Sequence, residues 1–314
     1  MSKDNLFFLI FIILNPINNC DEYTKIMEPA SRYAGLKYLG GLDANGLPHG
    51  KGKLFGICDV DQHEHLAHCN FVHGHCQGFV EIHDLTTKMS YVGYMQGENV
   101  RHGYGKYTDP KSGTYEGNWS NDRKSGFGIN IDERGNQYIG EHKDNHPHGI
   151  GKITYGDSTV YYGDWVDGIR EGNGILIFAN GDYYIGEFKK DQPEGIGGTI
   201  SMQSGKKLFG EFKDSRVSGL AIESSTIQNN VRIGSYKEDT IQGLFAERAG
   251  DGKLRITGHL NGLSKSGVVL DINADGTGYI GEVKNSKPHG MGILTKPEGL
   301  KLIGNFDNGI FLNP

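Results

Sequence analysis

A run of eight residues that could ligate metal lies between positions 58 and 76: Cys58, His63, His65, His68, Cys69, His73, His75 and Cys76. Thiolates and imidazoles hold zinc in four-coordinate sites, and the zinc candidates are Cys58, His63, His65, Cys69 and Cys76. The spacing argues against them, because Cys-x10-Cys-x6-Cys matches no common zinc module. The pairs His63/His65 and His73/His75 fit alternate residues on the solvated face of a strand equally well. No metal and no other cofactor is therefore expected, with the five zinc candidates as the alternative.

Other motifs dissolve on inspection. Asp271-Ile272-Asn273-Ala274-Asp275-Gly276, with Glu282 beyond, satisfies a calcium-loop pattern,, but the flanking residues read as strands rather than the helices such a loop needs. None of the Gly-Lys pairs precedes a Ser or Thr, so no phosphate-cradling loop is present, and Ala67 stands where a His63-Glu64-x-x-His metalloprotease pattern needs histidine,. There is no Gly-x-Ser-x-Gly elbow,. The chain is expected not to be an enzyme. Its four cysteines all fall in the first quarter of the chain, which suits free thiols in a reducing compartment better than a stapled secreted domain,. Asn118-Trp119-Ser120 is a glycosylation sequon that matters only if the chain is secreted,.

The elements that position these residues are set by a repeat. A glycine ending a Tyr-x-Gly unit falls at Gly40, Gly93, Gly117, Gly140, Gly163, Gly186, Gly210, Gly234, Gly258, Gly281 and Gly304, and from Gly93 on the spacing is always 23 or 24 residues. A second glycine follows nine places later in most copies, as in Gly149, Gly195 and Gly290, and Cys69 takes the glycine place in one further copy. A fixed short period marks units that cannot bury an apolar face alone. Each unit alternates apolar residues, breaks at turns such as Asp132 to Asn136, and is too short for two helices, so each reads as a β-hairpin,. The glycines leave room for aromatic rings, and Tyr115, Trp119, Tyr138, Tyr162, Trp165, Tyr184, Phe188, Phe212, Tyr236, Tyr279 and Phe306 are the expected spine,. Glu141, Glu187, Glu211 and Glu282 recur at one position and are expected to face solvent.

The pattern Tyr-x-Gly-Glu/Asp-Phe/Trp followed by Gly-x-Gly resembles the MORN repeat. The matching positions are Tyr138, Gly140, Gly149 and Gly151; Tyr184, Gly186 and Gly195; and Tyr279, Gly281 and Gly290. The resemblance implies an all-β, elongated single-sheet solenoid of stacked antiparallel hairpins. Three copies depart from the pattern, with Leu208, Arg232 and Ile256 in place of the first Tyr. The opening at Tyr38 to Gly52 also resembles the MORN region of SET-domain lysine methyltransferases. Their Asn-His-Ser motif has no counterpart here, so that activity is not carried over.

The organisation expected is an apolar segment over 1–20, a lead-in over 21–37, and a repeat domain of about twelve copies over 38–314. Leu6 to Leu14 are nine apolar residues, too few to span a bilayer, and read as a buried cap or as a signal-like targeting segment,. The 49 glycines follow from the repeat, and a net charge of -6 argues against nucleic acid and against an anionic membrane,. The expected function is a scaffold for protein partners, in a cytoplasmic setting tied to cytoskeleton or cilium as the resemblance implies. Exposed aromatics and His102, His146, His148 and His289 are the contact candidates, unless each His merely packs beside its glycine. Two alternatives stand beside this: a membrane-linked tether or secretory protein using Leu6 to Leu14, and a substrate-recognition module related to the methyltransferases. End-to-end self-association through terminal hairpins is a further expectation.

Overall fold

The computed structural model describes residues 24–26, 35–57, 61–257, 260–261, 264–265 and 267–313. The apolar run Leu6 to Leu14 lies outside them. The described residues form β-strands and turns with no helix. They fall into two units, one holding residues up to Asp157 with Trp165–Gly168, the other Ser158–Asp164 with Ile169 onward.

In the first unit, strands follow one another as antiparallel neighbours. Lys37–Leu42 pairs with Pro48–Ile57, which pairs with Glu64–Val72, and the series continues to Gln137–Lys143 and His146–Thr154. The lead-in contributes Thr24–Ile26, paired with Lys37 to Leu39. The second unit repeats the plan, for example with Tyr183–Lys189, Gln192–Ile200, Lys206–Lys213 and Arg216–Ser225 in order. Hairpin formation follows from turn chemistry as well as from alternation. At 121–122, 144–145, 190–191, 214–215, 238–239 and 285–286 both turn residues have positive φ, the mirror-image turn that matches strand twist, and they are mostly Asn, Asp or Ser,.

One face of each unit carries the core. Tyr38, Tyr91, Tyr115 and Tyr138 in the first unit, and Tyr161, Tyr184 and Tyr279 in the second, are buried. Each ring lies flat on the glycines that follow it. A Cβ on Gly105 would stand 2.4 Å from the Tyr91 hydroxyl, and one on Gly174 2.4 Å from the Tyr161 ring. The phenol is needed as well as the ring. After the regular Tyr-x-Gly units the register with the next strand shifts by two residues, so that residues 148–150 lie opposite Glu141 between the Gly140–Gly151 and His142–Pro147 pairs, which leaves the carbonyl of that position, here Glu141, at the irregularity. The tyrosine hydroxyl donates to it: Tyr138 to Glu141 O at 2.8 Å, Tyr184 to Glu187 O at 2.9 Å, Tyr279 to Glu282 O at 2.8 Å. Between the tyrosines sit second aromatics, edge to face, so that Tyr115, His142, Tyr138 and Trp165 form one ladder and Tyr161, Phe188, Tyr184 and Phe212 another,.

Two expectations are corrected. The spine residue of its copy is Tyr161, fully buried, while Tyr162 is 54% exposed; strand alternation puts the residue two before Gly163, not one before, on the core face. Ile256 does not take a tyrosine place either. Thr257 stands opposite Phe245 and Val269 where the glycine was expected, which turns Ile256 to the outer face,.

The departing copies compensate in volume. Leu208 is matched by Ala221, and Arg232 by Phe245, where the regular copies have glycine. Around Arg232 the core becomes ionic: its guanidinium meets Glu247 at 2.8 Å and Glu223 at 3.4 Å, and Tyr236 donates to Glu223 at 3.3 Å.

Candidate protein-binding surface

The face opposite the tyrosines is read from cross-strand register. The residue between Tyr and Gly points away from the core, and its partners on adjacent strands form a row with it. In the first unit that row is mixed: Lys53 pairs with His68, then Glu81, Val92, Lys106, Glu116, Ile129, Ile139 and Lys152 in succession. Lys106 and Glu116 form an ion pair at 3.0 Å, and Tyr104 donates to Glu116 at 3.0 Å. Both contacts hold the Glu116 carboxyl below its usual range, and the bond to Glu116 raises the Tyr104 phenol.

In the second unit the same row is apolar. Ile175 pairs with Ile185, then Gly198, Phe209, Ile222, Ile233, Ala246, Ile256, Leu270, Ile280, Ile293 and Ile303, each directly opposite the next. Phe209 is 58% exposed, and Ile185, Ile222, Ile233, Ile280 and Ile303 are also solvent-facing. β-Branched residues suit a strand anywhere. Strand propensity alone leaves unexplained why the row is mixed in one unit and apolar in the other, and contiguous exposed apolar surface marks interaction sites. A neighbouring row alternates Ile196 with Glu211, Leu220 with Ser235, Val268 with Glu282 and Met291 with Asn305. The surface therefore offers apolar contact edged by carboxylates.

Those recurring acids also serve the fold, which the sequence reading missed. Gly149 has φ +67, and a Cβ there would meet Glu141 Oε2 at 2.8 Å; Gly195, at φ +72, stands in the same relation to Glu187. Glu187 Oε1 accepts the Ile196 N–H at 3.1 Å and Asp164 Oδ2 that of Asn173 at 2.8 Å. The nine-residue spacing from acid to N–H was the signal available.

The histidines proposed as contacts are tied to turns. His148 Nδ1 lies 3.3 Å from Asp167 and His289 Nδ1 3.2 Å from Asp307, while His102 Nδ1 faces Gln96 at 3.0 Å; His146 is exposed beside Gly168. Arg101 to Asp122 and Arg170 to Asp191, each 3.0 Å, make equivalent turn-to-turn clips, in which the aspartate also accepts the arginine's backbone N–H.

The five zinc candidates are not brought together. Cys58 lies outside the described residues, and Cys69 and Cys76 are joined in a disulfide with Cα atoms 5.5 Å apart. This also corrects the free-thiol expectation for that pair; the hairpin sets them diagonally across adjacent strands. His65 is buried, not solvated. The calcium-like segment is a hairpin. Asn273 N–H donates to Thr277 O at 2.8 Å, and Asp271 and Glu282 sit on paired strands opposite Tyr279 and Val268.

The MORN-repeat family model matches residues 44–56, 98–114, 115–129, 138–160, 161–183, 184–198 and 279–301. The unmatched stretch between 198 and 279 contains the compensated copies. No curated protein matches the chain. Among solved structures it is similar to the TCP domain of Drosophila melanogaster SAS-4 in complex with a proline-rich motif of Ana2, at 16% identity over 50% of this chain and 84% of that one, TM-score 0.33. It is similar also to the TCP10 domain of Danio rerio CPAP in complex with a STIL peptide, at 10% identity over 91% of this chain and all of that one, TM-score 0.30. Superposition that loose defines neither fold nor function for this chain.

Proposed function

We propose that this chain, which carries MORN repeats between residues 44 and 301, is a non-enzymatic scaffold that binds a protein partner on the outer face of its second unit. The observation that carries the reading is the Ile185, Phe209, Ile222, Ile233 and Ile280 row, exposed and continuous by register. A partner segment with apolar residues beside basic ones fits it, since Glu187, Glu211 and Glu282 border the row,. The test is capture of partners by the full chain and by a Phe209→Lys/Ile222→Lys variant. Partners retained by the first and lost by the second, at equal thermal stability, support the proposal; identical capture refutes it.

The repeat resemblance supports a cytoskeletal or ciliary setting inside the cell. A second reading, entry into the secretory pathway, is favoured by the Cys69–Cys76 disulfide,, together with the signal-like run Leu6 to Leu14.

A further inference from the structure

We infer that Asp61, His63 and His65 form a binding site for a divalent transition metal of the zinc class, backed by Asp84. One ligand atom from each of Asp61, His63 and His65 lies within 4.8 Å of the others. Register assembles the group: His65 stands directly opposite Asp84 on the adjacent strand. His65 Nε2 is 2.8 Å from both oxygens of Asp61, and His63 Nδ1 is 2.8 Å from Asp84 Oδ2. Asp84 uses its other oxygen on the Thr86 and Thr87 N–H groups, so its Oδ2 is committed to His63.

His65 is the informative residue. It is 2% exposed, and among the described residues its Nδ1 has no hydrogen-bond partner. Its Nε2 faces both Asp61 oxygens, so an ion held by Nε2, Asp61 and His63 would take the place of the proton now shared between ring and carboxylate. Two imidazoles and a carboxylate are the donor set that borderline divalent ions prefer over magnesium or calcium. Two aspartates balance the charge of one such ion, and Asp84 orients His63 as carboxylates orient metal-bound histidines. The second clustered group, Asp43, His49 and His73, has both histidines in solvent, so it serves as the control.

The test is titration of the full-length, metal-stripped protein with Zn2+ by calorimetry and with Co2+ by visible absorption. One equivalent is expected, weakened at least about tenfold by Asp61→Asn and by His63→Gln, and unchanged by His49→Gln and Cys58→Ser. His65→Ala risks the core, so the two milder variants carry the test. Absence of binding overturns the inference, as does binding indifferent to Asp61→Asn and His63→Gln, or abolished instead by His49→Gln or Cys58→Ser. Displacement of Zn2+ by millimolar Mg2+ would overturn the assigned metal class.

Discussion

The Tyr138 phenol rests directly on Gly151: a Cβ there would be 2.2 Å from the hydroxyl oxygen and 2.4 Å from Cζ. The same hydroxyl donates to the Glu141 carbonyl, opposite the bulge, at 2.8 Å. Gly151→Ala is expected to cost about 3 kcal/mol, at the upper end for overpacking, because neither ring nor backbone can move without breaking that hydrogen bond. Tyr138→Phe keeps the ring and loses the bond, about 1 kcal/mol. Urea denaturation of the two variants should rank them in that order, and the reverse order would contradict the packing argument.

Acid should loosen the ladder at His142. Every equivalent side chain nearby is apolar or aromatic, as at Trp119, Trp165 and Phe188, whereas His142 packs between Tyr115 and Tyr138 and is 4% exposed. Burial, and then the Lys124 charge, push its imidazole down to about 4 from 6.5. The folded state therefore binds fewer protons than the unfolded state between those values, so stability is full above about pH 6.5 and falls as pH drops toward 4. The loss is about 1–2 kcal/mol after allowance for solvent screening. His142→Phe should flatten the melting temperature between pH 7 and 4.5; a slope equal to wild type would assign the acid sensitivity elsewhere.

Arg232 and Phe245 are expected to be coupled. Arg232→Tyr alone forces a ring against Phe245, which stands opposite Gly234 in the place of a glycine, and takes the guanidinium away from Glu223 and Glu247, 8% and 7% exposed, with Lys206 still at 2.8 Å from Glu223. Arg232→Tyr/Phe245→Gly restores the regular pairing and should recover part of the loss. A double-mutant cycle with coupling of about 1 kcal/mol or more checks this, and strict additivity would refute the compensation.

The turn clips predict a graded effect at Asp191, whose Oδ1 takes both the backbone N–H and the Nε of Arg170 at 3.0 Å. Its φ of 68° also favours Asp or Asn,. Asp191→Asn should lose a few tenths of a kcal/mol and Asp191→Ala about 1–2 kcal/mol. Hydrogen exchange at the Arg170 amide should accelerate in the alanine variant only.

Compartment is testable at Asn118, which is exposed in its sequon. In a eukaryotic host, secretory entry predicts a mass shift removed by glycosidase and by Asn118→Gln. An unshifted, intracellular full-length product favours the cytoskeletal or ciliary setting.

The 23 or 24 residue period, the hairpin as unit and the pairing of aromatics with glycines were all legible in the sequence. Each depends on residues close along the chain, where alternation and turn chemistry act. What only the tertiary structure decided concerns residues brought together across strands. Which tyrosine of Tyr161 and Tyr162 is buried, the slip that turns Ile256 outward, the Cys69–Cys76 bond and the placement of His65 beside Asp61 and Asp84 all depend on register. So does the contrast between a mixed outer row in one unit and an isoleucine-rich row in the other. A shift of one residue reverses the face of every side chain on a strand, so composition shows that isoleucines are plentiful and only the ladder of backbone hydrogen bonds puts them side by side in water.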